Sequence, residues 1–572
     1  MSQSHRHTLL VLTLLAFAGL PIGLAQEPEL DLAIRGGRVL DGTGNPWFRA
    51  DVGIRDGRIV EIRRSGELGP AREEIDVDGA IVAPGFIDLH SHADDFNGAN
   101  GGLRSPDVAR RRAENIVTQG VTTIVVNPDG SGPPISIADQ RKQLEDPGVG
   151  VNVALMAAHN TIRLLAMGAD HRRAATPEEI TKMQNAVRAA LGEGAFGLTS
   201  GLEYVPGRWS ATEELVALMD AASDLGAVHI SHIRSETSAP MWWVPSQDLP
   251  KPPQLLDAYR EIIEIAERTG TVGVMTHMKV RGTTHWGQSK EVIELVEAAR
   301  SRGVEVYGDQ YPYASSGSDG ALVLIPAWAR TRPDGATSDA DPAVLLELTL
   351  EDPELTETVR ADISHALAFR GGAERIVVFD YPDESFIGQS LAELAAVRSI
   401  DAESMAIALQ LEGYRDRPGG ARLRSFSLAE EDMQKLMARP WVATASDGGV
   451  ALPEDGPTVH ARYWGTFPRK IGRYVREQGA VSLEHAVRAG TSLPARILGL
   501  EDRGTVRVGA LADLVVFDPE TIGDNSTFMK PHQASSGVLH VLIGGRAAVR
   551  DGRATGELIG SVLARPGSSE GD

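Results

Sequence analysis

The chain has no cysteine among its 572 residues. Disulfide frameworks, zinc ribbons, thiol nucleophiles and cysteine-held clusters are therefore excluded, and any metal must sit on His, Asp, Glu or carbonyl oxygen. Aromatic residues are scarce at 5%, too few for a platform on which bases or sugars stack in series. Positive charge is also in short supply: 56 Lys and Arg stand against 78 Asp and Glu, a net charge of −22, and the longest basic run is Arg110-Arg111-Arg112. A field of that sign disfavours nucleic acid and anionic membranes as partners. No apolar run long enough to span a bilayer occurs beyond the N-terminus.

What remains is ordinary globular chemistry, with 42% hydrophobic residues and length for one large domain plus a smaller one. At the N-terminus, Arg6 precedes the apolar run Leu9 to Leu20, and Gly23-Leu24-Ala25 offers small residues at cleavage offsets. Residues 1–25 thus read as a secretory signal peptide cleaved after Ala25, implying a periplasmic or extracellular protein without a stable membrane anchor. Oligomeric state is not readable from the sequence.

From Leu32 to Val82 the chain alternates in short apolar runs with Gly36-Gly37 and Asp56-Gly57 between them, the pattern of hairpins. The same texture returns in Gly509 to Asp518 and Val541 to Arg546, so the two ends are expected to pair into one small β domain, residues 26–84 with 497–565. Between them, apolar strands ending in polar residues alternate with Ala/Glu/Arg-rich helical stretches. Reading forward, the strands are Gly85–His90, Val121–Asn127, Val151–Ala157, Ala195–Ser200, Val228–His232, Val272–His277, Val304–Asp309 and Trp441–Asp447. Eight such units predict an α/β fold, a (β/α)₈ TIM-like barrel over residues 85–496. A doubly wound sheet would carry a Gly-rich phosphate fingerprint after its first strand, and none is present. The interval between strands seven and eight is too long for one helix, so residues 315–431 read as a helical insertion or lid. The Pro-rich stretch from Trp242 to Pro253 reads as a flap.

Placing the ionisable residues on these strands puts His90 and His92 at the end of strand one, His232 at the end of five, His277 at the end of six and Asp447 at the end of eight. The C-terminal rim of such a barrel is where its chemistry sits. Alternate residues of a strand share a face, so His90 and His92 present two imidazoles to one cation. By the same period, Lys279 lies on the face of His277 and is a candidate cation for a substrate carboxylate. Glu203 is read as a group that would favour a basic or polar substrate side chain. His285, His460 and His532 have no strand-end placement and are left outside the site.

The string Ala83-Pro84-Gly85-Phe86-Ile87-Asp88-Leu89-His90-Ser91-His92 resembles the first-strand signature of the amidohydrolase superfamily. The stretches Ala195 to Tyr204, Ser231 to Glu236, Thr276-His277-Met278-Lys279, Ser446-Asp447-Gly448, Tyr463 to Arg469, Thr491 to Arg496 and Ala512 to Asp518 narrow it to its D-aminoacylase branch, the N-acyl-D-amino-acid deacylases. The likeness runs from Leu32 to Gly560 and is specific as a set. It implies a metal-dependent hydrolase, its barrel flanked by a small β-sandwich built from both chain ends, that releases a carboxylate and a free D-amino acid from a small N-acylated substrate. It further implies zinc as one or two ions, or another divalent metal, bound by His90, His92, His232, His277 and Asp447, with Asp447 as proton shuttle and with Tyr204 and Arg462 on the substrate.

One departure stands out. Where the family carries a metal-binding cysteine, this chain reads Asn127-Pro128-Asp129-Gly130. Asp129 is expected to take the thiolate's place, binding one metal or bridging two, although Pro-Asp-Gly is equally good turn chemistry. A related hydrolase of cyclic amides, dipeptides or other amides and esters is the alternative, as is a binding protein that has lost turnover. The cyclic-amide relatives hold a carboxylated lysine on the fourth strand, and Ala195 to Ser200 has no lysine. The full set of four histidines with Asp447 argues against a non-catalytic relative.

Overall fold

A computed structural model describes residues 30–94, 101–331 and 341–568. The segment read as a signal peptide lies outside the described residues. At the centre are eight parallel strands: β1 (Phe86–Asp88), β2 (Val121–Val126), β3 (Asn152–Leu155), β4 (Gly197–Gly201), β5 (Val228–His232), β6 (Val272–Met275), β7 (Val306–Gln310) and β8 (Val442–Thr444). The ladders run β1 to β2 to β3 and β4 to β5 to β6 to β7 to β8. Ala157–Ala158, just beyond β3, pairs with β4. The ring closes where Ser91 bridges Gly448 and Asp447 N–H donates to His90 O at 2.9 Å. These strands match the eight read from the sequence, most of them shorter because their last polar residues turn out of the ladder.

The elements follow from local chemistry. β2, Val-Thr-Thr-Ile-Val-Val, is buried at every position, as a strand covered on both faces must be. The helix Pro177–Gly192 starts at Thr176 with a capping box to Glu179 and Pro at its first turn, and buries Met183, Val187 and Leu191 at a spacing of four. That stripe covers the barrel while the opposite face stays in water.

Both chain ends contribute to a nine-stranded sheet, in which Ile81–Pro84 joins Leu30–Val39 on one side and Leu514–Phe517 on the other. It is one continuous hydrogen-bonded ladder around its own apolar cluster, with Ile34, Val52, Val82, Leu514 and Val516 at its centre. The last strand, Val562–Leu563, leaves that sheet and pairs in parallel with Val153–Ala154 of β3, filling the seam on the side of β4. Between β7 and β8, helices such as Pro342–Leu350, Pro353–Phe369, Leu391–Arg398 and Ala402–Glu412 pack with the hairpin Ile376–Asp380 and Arg422–Ser425. They share a separate hydrophobic core that includes Leu346, Ile363, Val378, Leu409 and Leu423. The flap docks on this insertion: Ser246 N–H and Oγ–H donate to Asp362 at 3.2 and 2.5 Å, and the Trp243 ring packs edge-on against His365.

Candidate active site

Five of the six expected metal donors leave the barrel at its C-terminal rim just beyond their strands, and the sixth, His232, is the last residue of β5. Four residues here, Asn127, Asp129, His277 and Asp447, have φ between 35° and 63°. Asn and Asp tolerate that region because a short polar side chain can bond locally. A histidine at φ 35° is strained, and such strain persists only where the surroundings impose it. Here Asp309, at the end of β7, accepts the His277 N–H at 2.6 Å. Asp88 similarly accepts Ser446 N–H at 2.9 Å and His90 N–H at 3.2 Å, tying the first and last strands below the site. Burial pushes the Asp88 carboxyl up to about 6 and the Asp309 carboxyl up to about 7.

The structure brings all six donors together around Asp129. His90 Nε2 lies 3.5 Å from Asp129 Oδ1 and 3.5 Å from Asp447 Oδ1, and His92 Nε2 lies 3.6 and 3.1 Å from the same two carboxylates. Donors about 2.1 Å from one tetrahedral ion are spaced by about 3.4 Å, so His90, His92, Asp129 and Asp447 match one cation. A second group shares Asp129: its Oδ1 is 3.9 Å from His232 Nδ1 and 3.8 Å from His277 Nε2. The two imidazole nitrogens of that group are 2.8 Å apart. Asp129 therefore stands where a bridging ligand would.

The donors also have the chemistry a metal needs. Both His90 nitrogens and Asp129 Oδ1 are buried with no hydrogen-bond partner, a cost that a bound cation removes. Burial opposes charge on these groups, but the imidazoles outweigh it and hold the Asp129 carboxyl well below the usual range. The same field, from Asp129 and Asp447, raises His92 well above its ordinary value despite burial. His277 is pushed down to about 3 by burial and by the charge of Lys279, which leaves it a neutral ligand.

Around this centre are groups the sequence pattern did not place. Glu203, read above as facing a substrate side chain, is buried and accepts His232 Nε2–H at 2.8 Å and Met241 N–H at 2.5 Å. The proton on Nε2 leaves the Nδ1 lone pair of His232 for the cluster, a carboxylate–histidine arrangement common behind metal ligands. Glu236 is bonded to Lys279, lies 3.2 Å from His277 Nδ1 and pairs with Arg281 at 2.8 Å. Burial would raise its carboxyl, but Lys279 and Arg281 hold it well below the usual range. Lys279 Nζ itself meets His277 Nδ1 at 2.7 Å.

Asp447 faces the metal donors with Oδ1 and Arg462 with Oδ2, 2.9 Å from Nη1. Burial is outweighed by that guanidinium and by the neighbouring imidazoles, so the carboxyl lies far below its ordinary value. Arg462 also lies over the ring of Tyr311, 4.9 Å away. Tyr204 packs on His232 with ring centroids 4.4 Å apart. Tyr204, Lys279 and Arg462 line a cavity of about 330 Å³ together with His92, Asp129, His232, His277 and Asp447. Of the histidines set aside, His460 is buried and accepts the Arg462 N–H, so it supports the site from behind.

The Amidohydrolase family matches residues 366–549. The N-acyl-D-glutamate deacylase of Alcaligenes xylosoxydans xylosoxydans is 34% identical over 544 residues, covering 91% of this chain and 94% of the relative. A solved structure of D-aminoacylase, which concerns its binuclear metal centre, superposes with a TM-score of 0.70 at 30% identity and covers 94% of this chain and 100% of that one. The N-acyl-D-glutamate deacylase of Bordetella bronchiseptica, complexed with zinc and a phosphonate that mimics the tetrahedral intermediate, gives 0.67 at 32% identity with the same coverage.

Proposed function

The chain belongs to the amidohydrolase family, in its D-aminoacylase branch, and from that premise we propose that it hydrolyses N-acyl-D-amino acids to a carboxylate and a free D-amino acid. The observation that carries the proposal is Asp447, which sits on the metal donors and on Arg462 at once inside one cavity. The donor set fits zinc, held by His90, His92, Asp129 and Asp447 on one side and by Asp129, His232 and His277 on the other. A bound zinc ion supplies a Lewis acid that polarises the carbonyl and lowers the pKa of water from 15.7 toward about 7.

The remaining steps belong to side chains. Asp447 accepts the proton of the attacking water at its inward oxygen and returns it to the departing amine nitrogen, without which the C–N bond does not break. Arg462 keeps Asp447 ionised between turnovers and so ready to accept. Lys279, Arg281 and Glu236 together carry one surplus positive charge, and with Arg462 and the Tyr204 hydroxyl they bind the α-carboxylate of the substrate. Glu203 and Asp309 hold His232 and His277 in position.

We further assign residues 1–25 to an export signal, with the mature protein in the periplasm or outside the cell. No helix among the described residues is long and apolar enough to cross a membrane. The barrel is assigned to residues 85–496, with 315–431 as its lid, and the sheet domain to 26–84 and 497–565. The test is metal analysis of the purified protein coupled to amine release from matched N-acetyl-D- and N-acetyl-L-amino acids, before and after chelation. Chelator-sensitive release from the D series alone is expected; equal rates on both series, or release that survives full metal removal, would overturn the assignment.

A further inference from the structure

A second cavity, of about 590 Å³, adjoins the first, and His92, Gly317 and Arg462 form their common wall. Arg424 lines it from the insertion strand Arg422–Ser425. This side chain is buried, with 4% of its surface exposed. Its Nη2 donates to Thr458 O at 3.3 Å, while Nε and Nη1 have no hydrogen-bond partner. Its other neighbours are the faces of Phe528 and Phe379, 5.0 and 5.8 Å away.

Buried arginines are ordinarily paired, because an uncompensated charge in the interior is costly. The others lining the two cavities obey that rule: Arg110 pairs with Asp455, Arg281 with Glu236 and Arg462 with Asp447. Among the described residues no carboxylate forms an ion pair with Arg424; buried Asp319 acts on it electrostatically but is itself bonded to Arg370. It nevertheless stays charged at neutral pH, since burial lowers its pKa only to about 10. The neighbouring groups do not neutralise it. His460 is kept neutral, first by burial and then by the charges of Arg462 and Arg424, and Glu454 lies exposed at the rim.

The backbone between the two guanidiniums is shaped to them. A Cβ on Gly317 would lie 2.7 Å from Arg462 Nη2, and one on Gly320 would lie 2.7 Å from Arg424 Nη2. Glycine at both positions lets one short turn pass between Arg462 and Arg424, leaving Arg424 without a carboxylate on the far side of the wall from the reacting centre.

We propose that Arg424 binds a second carboxylate of the substrate, so that the preferred substrates are N-acyl-D-amino acids with an acidic side chain. The inference rests on the deacylase reading above, with the α-carboxylate at Arg462. The side chain leaves the same carbon as that carboxylate, and the cavity that shares Arg462 as its wall receives it. A guanidinium whose charge no carboxylate compensates favours a carboxylate over its neutral amide isostere.

The test compares kcat/KM for N-acetyl-D-glutamate with N-acetyl-D-glutamine, and N-acetyl-D-aspartate with N-acetyl-D-asparagine, on the zinc-loaded protein. The acid is expected to exceed its amide by about 10- to 100-fold for at least one pair, the worth of a charge-assisted hydrogen bond. Arg424→Met is expected to bring that ratio toward one, and Arg424→Lys to restore part of it. A wild-type ratio near one for both pairs, or a ratio that survives Arg424→Met, overturns the proposal; the wild-type ratio decides even if the variants do not fold. Failure to cleave any of the four compounds would instead sink the deacylase reading. Arg424 is then judged by thermal shift, where a larger rise with N-acetyl-D-glutamate than with N-acetyl-D-glutamine, lost in Arg424→Met, sustains the subsite and equal rises reject it.

Discussion

Replacing Asp447 by Asn is the sharpest probe of the chemistry, because the substitution keeps the shape and removes the proton function. An amide oxygen can still face His92, now at 3.1 Å from Asp447 Oδ1, while the counter-charge of Arg462 is lost. A positioned acid–base group contributes about 100- to 10,000-fold, equivalent to about 3–5.5 kcal/mol of barrier. Hydrolysis of an N-acetyl-D-amino acid should fall by that factor. The fall should be at least about 10-fold smaller for the matching O-acetyl-D-hydroxy acid, since an alkoxide leaves without the full proton transfer that an amine nitrogen requires. Stability should fall as well, because Arg462 stays buried without a carboxylate, at a cost of about 2–5 kcal/mol. His90, His92, Asp129, His232 and His277 remain, so at least one metal ion should stay bound. The assay is steady-state turnover of the amide and ester pair, with metal content and Tm measured on the same preparation. Equal losses on the two substrates, or retention of more than a few per cent of amide turnover, would refute the role given to Asp447.

Glu203→Gln should weaken zinc binding by about 10- to 100-fold in a chelator competition, with turnover largely recovered at saturating zinc; an unchanged affinity would show that the Glu203–His232 bond does not tune the metal. His229, buried on β5 and bonded to Ser200 at 2.8 Å, is pushed down to about 3 by burial and then by His159. Below about pH 6.5 the unfolded chain takes up a proton that the folded one refuses, so this group costs up to about 1.4 kcal/mol per pH unit as pH falls toward 3. Tm of His229→Asn measured from pH 7 to pH 4 should therefore fall less steeply than that of the wild type, and parallel slopes would contradict this.

The sequence carried the barrel and the candidate metal donors that the structure brings together, because both are written in periodicities. Apolar runs ending in His90, His232 or His277 mark strand ends, and strand ends in such a barrel converge on one rim. Asp129 was legible as a break in a familiar pattern, and its central place follows from a backbone twist that no spacing encodes. Glu236, Arg281 and Arg424 were not legible as parts of the site, and Glu203 was legible only as a group facing the substrate and not as the partner of His232, since they sit on loops or on the insertion, where side-chain direction has no period. Lys279 was placed on the face of His277 as expected, but its contact with Glu236 depends on a loop four residues past His232. The strand Val562–Leu563 is too short to declare itself, and only its partner Val153–Ala154 gives it meaning.

That late strand makes the molecule's assembly a matter of timing. Asn152 receives its bond from Ser561, 409 positions later, and Arg141 reaches Val562 across 421. Contacts so distant along the chain form slowly and only after most of the loop between them has ordered. During synthesis, a barrel with all its other strands in place still lacks a partner for Val153–Ala154 on the side of β4 until residue 563 has emerged. The lower half of that seam thus inherits a delay, and a chain without residues 561–563 would hold β3 to β4 by Ala157–Ala158 alone.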